Sequence, residues 1–157
     1  MLKLMYITNS PEVASIADGA GVDRIFIDLE QYGKEKRQKN WDSVKSKHSI
    51  SDIPKVKSAV KNAQIFVRTD PIFDGFSDEL EGVLACEPDV VMLPYFKTVR
   101  EVETFIKAVD GRATTSLLLE TREAAEQIDD IISVGGIDEI HIGLNDLSHS
   151  YGKKFLF

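Results

Sequence analysis

Six short runs of apolar, largely β-branched residues punctuate the chain: Leu2–Thr8, Arg24–Leu29, Gln64–Thr69, Val90–Phe96, Ser116–Glu120 and Glu139–Leu144. Each is too short for a helix and nearly continuous in apolar residues, the pattern of a strand buried on both faces. Helical patterns lie between them. Pro11–Ala20 has Ser10 as its N-cap, proline at the first helical position and Gly21 just beyond its end. Ser51–Asn62 and Ser77–Ala85 follow. Thr98–Val109 opens on Thr98-Val-Arg-Glu101, the spacing of a capping box. Arg122–Val134 starts after Thr121 and stops at the Gly135-Gly136 pair. Strand and helix alternate without a hairpin signal, which predicts a parallel sheet with right-handed crossovers. The stretch Gln31–Ile50 is polar and basic and reads as an inserted loop or short helix. No linker or low-complexity segment interrupts the pattern, so residues 1–157 are expected to form one domain.

Two folds use this alternation. One is the open doubly wound sheet, and the other is the eight-stranded barrel, which usually needs roughly 250 residues. The chain has 157 residues, 43% hydrophobic and 29% charged, with a formal net charge of −7. An acidic balance argues against nucleic acid as partner, because phosphate binding needs clustered Lys and Arg. No apolar run approaches the ~20 residues of a membrane helix, so no membrane partner is expected. A single cysteine, Cys86, excludes an internal disulfide and a cysteine zinc site and fits a reducing, cytoplasmic setting.

In parallel α/β folds ligands bind at the carboxyl ends of the strands. Those ends carry Glu30, Arg68, Glu120 and the pair Asn145-Asp146. An ionised group closing an apolar strand must face a polar pocket, a partner or solvent. Glu120 and Asp146 close consecutive strands. If those strands pair, they lie about 4.8 Å apart. Two carboxylates that close repel unless one is protonated or a cation lies between them. Mg²⁺ or Mn²⁺ suits such hard oxygen ligands. Solvent-facing carboxylates, or caps of the following helices, are the other reading of the pair.

The phrases Leu118-Leu-Glu-Thr-Arg-Glu-Ala124 and Gly136-Ile-Asp-Glu-Ile-His-Ile-Gly-Leu-Asn-Asp-Leu-Ser148 resemble the HpcH/HpaI aldolase/citrate lyase family. Gly21-Val-Asp-Arg-Ile-Phe-Ile-Asp-Leu-Glu30, Phe66-Val-Arg68 and Val91-Met-Leu-Pro94 agree with it in order and spacing. The resemblance runs along the whole chain. It implies a TIM-type barrel, here partial, with six of eight strand–helix units. It implies carbon–carbon lyase chemistry on a 2-keto acid, or a keto-sugar acid, through a metal-stabilised enolate. It also implies a divalent cation, Mg²⁺ or Mn²⁺, held by Glu120 and Asp146, and an Arg68 that contacts the pyruvate or enolate portion. Glu30 and Asn145 are the further candidate substrate contacts.

The sequence departs from the family in three places. The aldolase branch ends its second strand Asp-x-Glu-His, and the histidine takes part in proton transfer. Here the phrase is Asp28-Leu-Glu-Gln31, closer to the Asp-Leu-Glu-Asp of the citrate lyase branch. Leu118 stands where aldolases place a glutamine two residues before the metal glutamate. The last two strand–helix units are absent. His48, in the inserted segment, is either an exposed loop histidine or a replacement base. His141 reads as a satisfied core residue, and His149 as a residue behind the metal ligands or an exposed one. Lys34, Lys36, Arg37 and Lys39 form either a solvated helix face or a site for an anionic tail such as CoA. Cys86 reads as a small packing residue. Arg68 has an alternative role in an ion pair with Glu30 or Asp28. Two other functions remain: an acyl-CoA lyase of the citrate lyase type, and a truncated, non-catalytic fragment. A small-molecule partner and a homo-oligomer are expected, because two uncovered apolar edge strands favour instability or self-association.

Overall fold

A computed structural model describes residues 2–31 and 47–153. Six strands, β1 (Met5–Ile7), β2 (Arg24–Asp28), β3 (Gln64–Arg68), β4 (Val90–Leu93), β5 (Thr114–Leu119) and β6 (Glu139–Ile142), form one sheet in sequential order. Every neighbouring pair is parallel. The described helices are α1 (Pro11–Gly19), α2 (Asp52–Ala59), α3 (Phe76–Leu84), α4 (Val99–Val109), α5 (Arg122–Ala125), α6 (Ile128–Ser133) and α7 (Leu144–Ser150). Sequential order with helical crossovers curls the sheet into the partial TIM-type barrel that the resemblance implied, and the open doubly wound alternative falls away. The inserted segment, apart from its two ends, and the basic residues Lys34, Lys36, Arg37 and Lys39 lie outside the described residues.

Alternate residues of each strand divide between two cores. The outward set, including Ile25, Ile27, Ile65, Val67, Val91, Leu93 and Leu117, packs under helical residues such as Ile53, Leu80, Val102 and Phe105. The inward set, Phe26, Phe66, Val90 and Met92 with Leu118 against them, fills the barrel lumen. Central strands are buried on both faces, which is why their sequences show no alternation. Cys86 packs half-buried at the margin of the outer core, as expected of a small apolar residue.

Several element ends shift by a few residues from the pattern reading, and three differences go further. The stretch Arg122–Val134 is two helices, because Gln127 leaves the helical region (φ −115°, ψ 19°) and its Nε2 donates to the carbonyls of Lys97 (3.1 Å) and Glu123 (2.9 Å). Asn145 and Asp146 are not a strand end. The chain turns at Gly143, and both residues sit in the first turn of α7. The first strand shrinks from Leu2–Thr8 to three residues, because it has a partner on one side only.

Candidate active site

Asp28, Glu30, Arg68, Glu120 and Asp146 all lie at the carboxyl end of the sheet. Arg68 and Asp28 are register partners, and both point inward from β3 and β2. Arg68 Nε and Nη2 donate to the two Asp28 carboxylate oxygens at 2.9 and 2.8 Å, a fork-to-fork pair. Nη2 also lies 3.2 Å from Glu30 Oε2. The guanidinium stands over the Phe26 ring, 5.6 Å from its centroid. Arg68 therefore makes the ion pair with both Asp28 and Glu30. Its Nη1 makes no hydrogen bond among the described residues. Burial works against the charge, but these carboxylates outweigh it and hold the guanidinium protonated.

Glu120 follows β5 immediately and is 4% exposed. Three neighbours fix it. The Tyr95 backbone N–H donates to Oε1 at 2.9 Å from a left-handed residue (φ 50°), a conformation that bulky side chains rarely adopt. The Thr121 hydroxyl donates to the Phe96 carbonyl at 2.7 Å, tying the turn after β5 to the turn after β4, and also accepts the Ala124 N–H as the cap of α5. Gly143 passes directly over the side chain. A Cβ there would stand 2.8 Å from Glu120 Cβ and 3.0 Å from Oε2. Only glycine fits this approach.

Burial pushes the Glu120 carboxyl up to about 8, and the nearby charges of Glu30 and Asp146 add to the rise. Arg68 and the Tyr95 N–H pull the other way and do not cancel it. With Arg68 committed to Asp28, the site carries more carboxylate than cation. Among the described residues no three His, Cys, Asp or Glu side chains group closely enough to enclose a metal ion. Mg²⁺ does not require such a cage, since it keeps several waters and takes one or two carboxylates. A carboxyl raised by burial, and further by two nearby carboxylates, is the environment that a divalent cation relieves, so the donor set fits one.

The remaining expected residues fall differently. Glu30 is buried, and its N–H donates to Asp28 Oδ1 at 3.2 Å. Asn145 is exposed. His48 is buried, which corrects the exposed-loop reading. Its Nδ1 accepts the Asp28 N–H at 3.0 Å, and Gln31 Nε2 donates to its carbonyl at 3.3 Å. With Nδ1 engaged as an acceptor, the neutral ring carries its proton on Nε2. His141 is half-buried in the lumen wall, 3.5 Å from Glu139 Oε2 and tilted against Phe66. His149 is exposed on α7. The pattern of residues did not reveal the Tyr95 N–H or the Gly143 approach. The signals were a bulky residue after Pro94 and a glycine between β6 and Asn145-Asp146.

A parallel, curled sheet of strand–helix units with charged residues gathered at the carboxyl ends of its strands defines a partial α/β barrel of the kind whose ligand sites lie at that end. Residues 3–155 match the family model described as HpcH/HpaI aldolase/citrate lyase, and the chain belongs to that family. Solved structures share the fold. An HpcH/HpaI aldolase from Desulfitobacterium hafniense DCB-2 superposes with a TM-score of 0.73 at 16% identity, covering 98% of this chain and 67% of that one. A family protein from Burkholderia cenocepacia J2315 gives 0.78 at 14%, covering 98% and 68%. A citrate lyase beta subunit from M. tuberculosis, complexed with oxaloacetate and magnesium, gives 0.60 at 21%, covering 97% and 61%. The chain thus spans about two-thirds of the length of these structures. No curated protein matches it by sequence. No helix among the described residues is long and apolar enough to cross a membrane.

Proposed function

We propose that this chain carries the catalytic face of a carbon–carbon lyase that acts on a 2-keto acid with the help of Mg²⁺ or Mn²⁺. The observation that carries the reading is the state of Glu120: buried at a strand end, fixed by the Tyr95 N–H, and held protonated by burial beside Glu30 and Asp146. Glu120 and Asp146 are the residues that would hold the cation. When bound, it would act as a Lewis acid and draw off the negative charge that develops on the keto oxygen as the bond between the carbons α and β to the keto group breaks.

The other residues bind and orient. Arg68 is preset by Asp28, Glu30 and the Phe26 ring, so its planar fork loses little freedom when a ligand arrives. Its Nη1 is the donor left for a substrate carboxylate. Glu30 and Asn145 border the same end of the sheet and are the further candidate contacts. His48 positions the Asp28 backbone by accepting its N–H at Nδ1, so its role in this reading is to position rather than to act as a base at that nitrogen. The 2-keto acid is favoured over an acyl-CoA because the contacts described, one Arg68 donor beside the two carboxyls that would hold a cation, suit a single small carboxylate.

The test is calorimetry with oxalate, a stable mimic of the pyruvate enolate, on metal-stripped protein. Oxalate should bind with Mg²⁺ or Mn²⁺ present and not with EDTA. Arg68→Lys keeps the charge and loses the fork, and should weaken oxalate about tenfold or more. Oxalate binding that ignores the metal would contradict the reading.

A further inference from the structure

We propose that Gln127, at the break between α5 and α6, is a positioning residue for the cation site: by holding the Lys97 carbonyl it keeps Tyr95 in its left-handed turn, and so keeps the Tyr95 N–H on Glu120. The inference rests on the reading of Glu120 as a cation-holding carboxyl and adds to that site a residue that touches neither the cation nor the substrate.

The line of contacts starts at Glu120. Its Oε1 accepts the Tyr95 N–H at 2.9 Å, and Tyr95 has a φ of 50°. For a tyrosine that conformation is costly, and it persists only where neighbours over-determine it. The residues that follow are held at successive points. The Phe96 carbonyl accepts the Thr121 hydroxyl at 2.7 Å. The Lys97 and Thr98 N–H groups both donate to Glu101 Oε2 at 2.8 Å. The Lys97 carbonyl accepts Gln127 Nε2 at 3.1 Å. The Lys97 ammonium lies 5.5 Å from the Tyr95 ring centroid and 3.4 Å from Glu123 Oε1.

These ties differ in what else they do. Thr121 and Glu101 also cap α5 and α4, so their bonds belong to the starts of those helices. The Lys97 and Glu123 side chains are about half exposed, and water weakens their pairing. Gln127 is different. It stands at the N-cap position of α6, yet its side chain makes no capping bond there. It leaves helical geometry inside a stretch whose pattern is helical from Arg122 to Val134. Breaking a helix gives up backbone hydrogen bonds. What stands in their place is one side-chain amide shared between the Lys97 and Glu123 carbonyls. That amide joins the turn after β4 to the helix after β5. It grips the turn two residues beyond Tyr95, where it opposes relaxation of the left-handed backbone.

The test is native-state hydrogen exchange, read by NMR on the 157-residue protein without metal, followed by Mn²⁺ titration of the same samples. Gln127→Met keeps the length of the side chain and removes the donor. The Tyr95 amide should then exchange about tenfold or more faster, while the amides of β4 stay within about twofold of wild type. Mn²⁺ should bind about three- to tenfold more weakly. Tyr95→Asn supplies a residue that accepts the left-handed region, so adding Gln127→Met to it should change Mn²⁺ affinity by less than about twofold. Gln127→Ala carries the same comparison where the methionine variant does not fold. Unchanged exchange at Tyr95 would overturn the proposal. Exchange that speeds up equally in β4 would overturn it too, by showing a general structural role, and so would an equal loss of Mn²⁺ affinity with and without Tyr95→Asn. Absence of Mn²⁺ uptake by the wild-type protein would refute the metal reading, and the metal-free exchange comparison would still decide for or against the tether.

Discussion

Arg68 and Asp28 show how one register fixes a site. Because Asp28 pairs with Arg68 across β2 and β3, both side chains leave the sheet on the same face, and the fork closes without either chain bending. These charges were legible in the sequence because each terminates an apolar run. The burial of His48 was not, because it depends on a hydrogen bond to the Asp28 N–H that no local pattern encodes. Gly143 was equally silent, since its importance lies in the Glu120 side chain beneath it. Gly143→Ala therefore separates site geometry from folding. Its φ of −83° suits alanine, so strain comes only from the contact with Glu120. Mg²⁺ affinity should fall about tenfold or more, while unfolding free energy falls by about 1–3 kcal/mol, the usual cost of overpacking, with the fold retained. Unchanged affinity would show that Glu120 has room to shift.

At the scale of elements, local chemistry was read correctly where the element carries its own signal. The capping box of α4 forms as the spacing predicts: Thr98 Oγ1 accepts the Glu101 N–H, and Glu101 Oε2 accepts the Thr98 N–H at 2.8 Å. Thr98→Ala should cost about 1 kcal/mol in chemical denaturation. The break between α5 and α6 escaped the pattern because the Lys97 carbonyl that draws Gln127 out of the helix comes from another connection. α3 carries a pH-sensitive group. Glu79 Oε1 accepts the Asp70 N–H at 3.1 Å, while Oε2 is buried with no hydrogen-bond partner among the described residues. Burial, aided by the Asp70 charge, pushes its carboxyl up to about 7. Its folded value lies above its unfolded one, so its stabilisation is complete below about pH 4.5 and is lost as pH rises through about 7. Glu79→Gln should leave stability near pH 4.5 almost unchanged and raise it at pH 8, by on the order of 1 kcal/mol once partial solvent screening is allowed for. Parallel pH–stability curves for the two proteins would contradict this assignment.

For the whole molecule, strict alternation of strand and helix was enough to predict a parallel α/β architecture. It did not separate an open sheet from a barrel. That choice rests on curvature, and curvature is set by contacts between strands far apart in sequence, above all Arg24 with Glu139. Two charged residues opening apolar strands were the available signal. Breaking this pair by one partner should cost more than removing both. Arg24→Met should destabilise by about 1–3 kcal/mol, because Glu139 is left without its partner, and adding Glu139→Leu should restore most of the loss. Equal stability of the single and double variants would show that the pair contributes nothing to the curl.

The claim that Glu120 and Asp146 together hold a divalent cation is most directly tested by an Mn²⁺ titration followed by electron paramagnetic resonance, where bound ion loses the free-ion signal. Wild-type protein should take up one Mn²⁺ per chain. Glu120→Ala and Asp146→Ala should each abolish that uptake or weaken it by about a hundredfold, and Glu30→Ala should weaken it far less. Uptake unchanged in both single variants, or no uptake by the wild-type protein, would contradict the account.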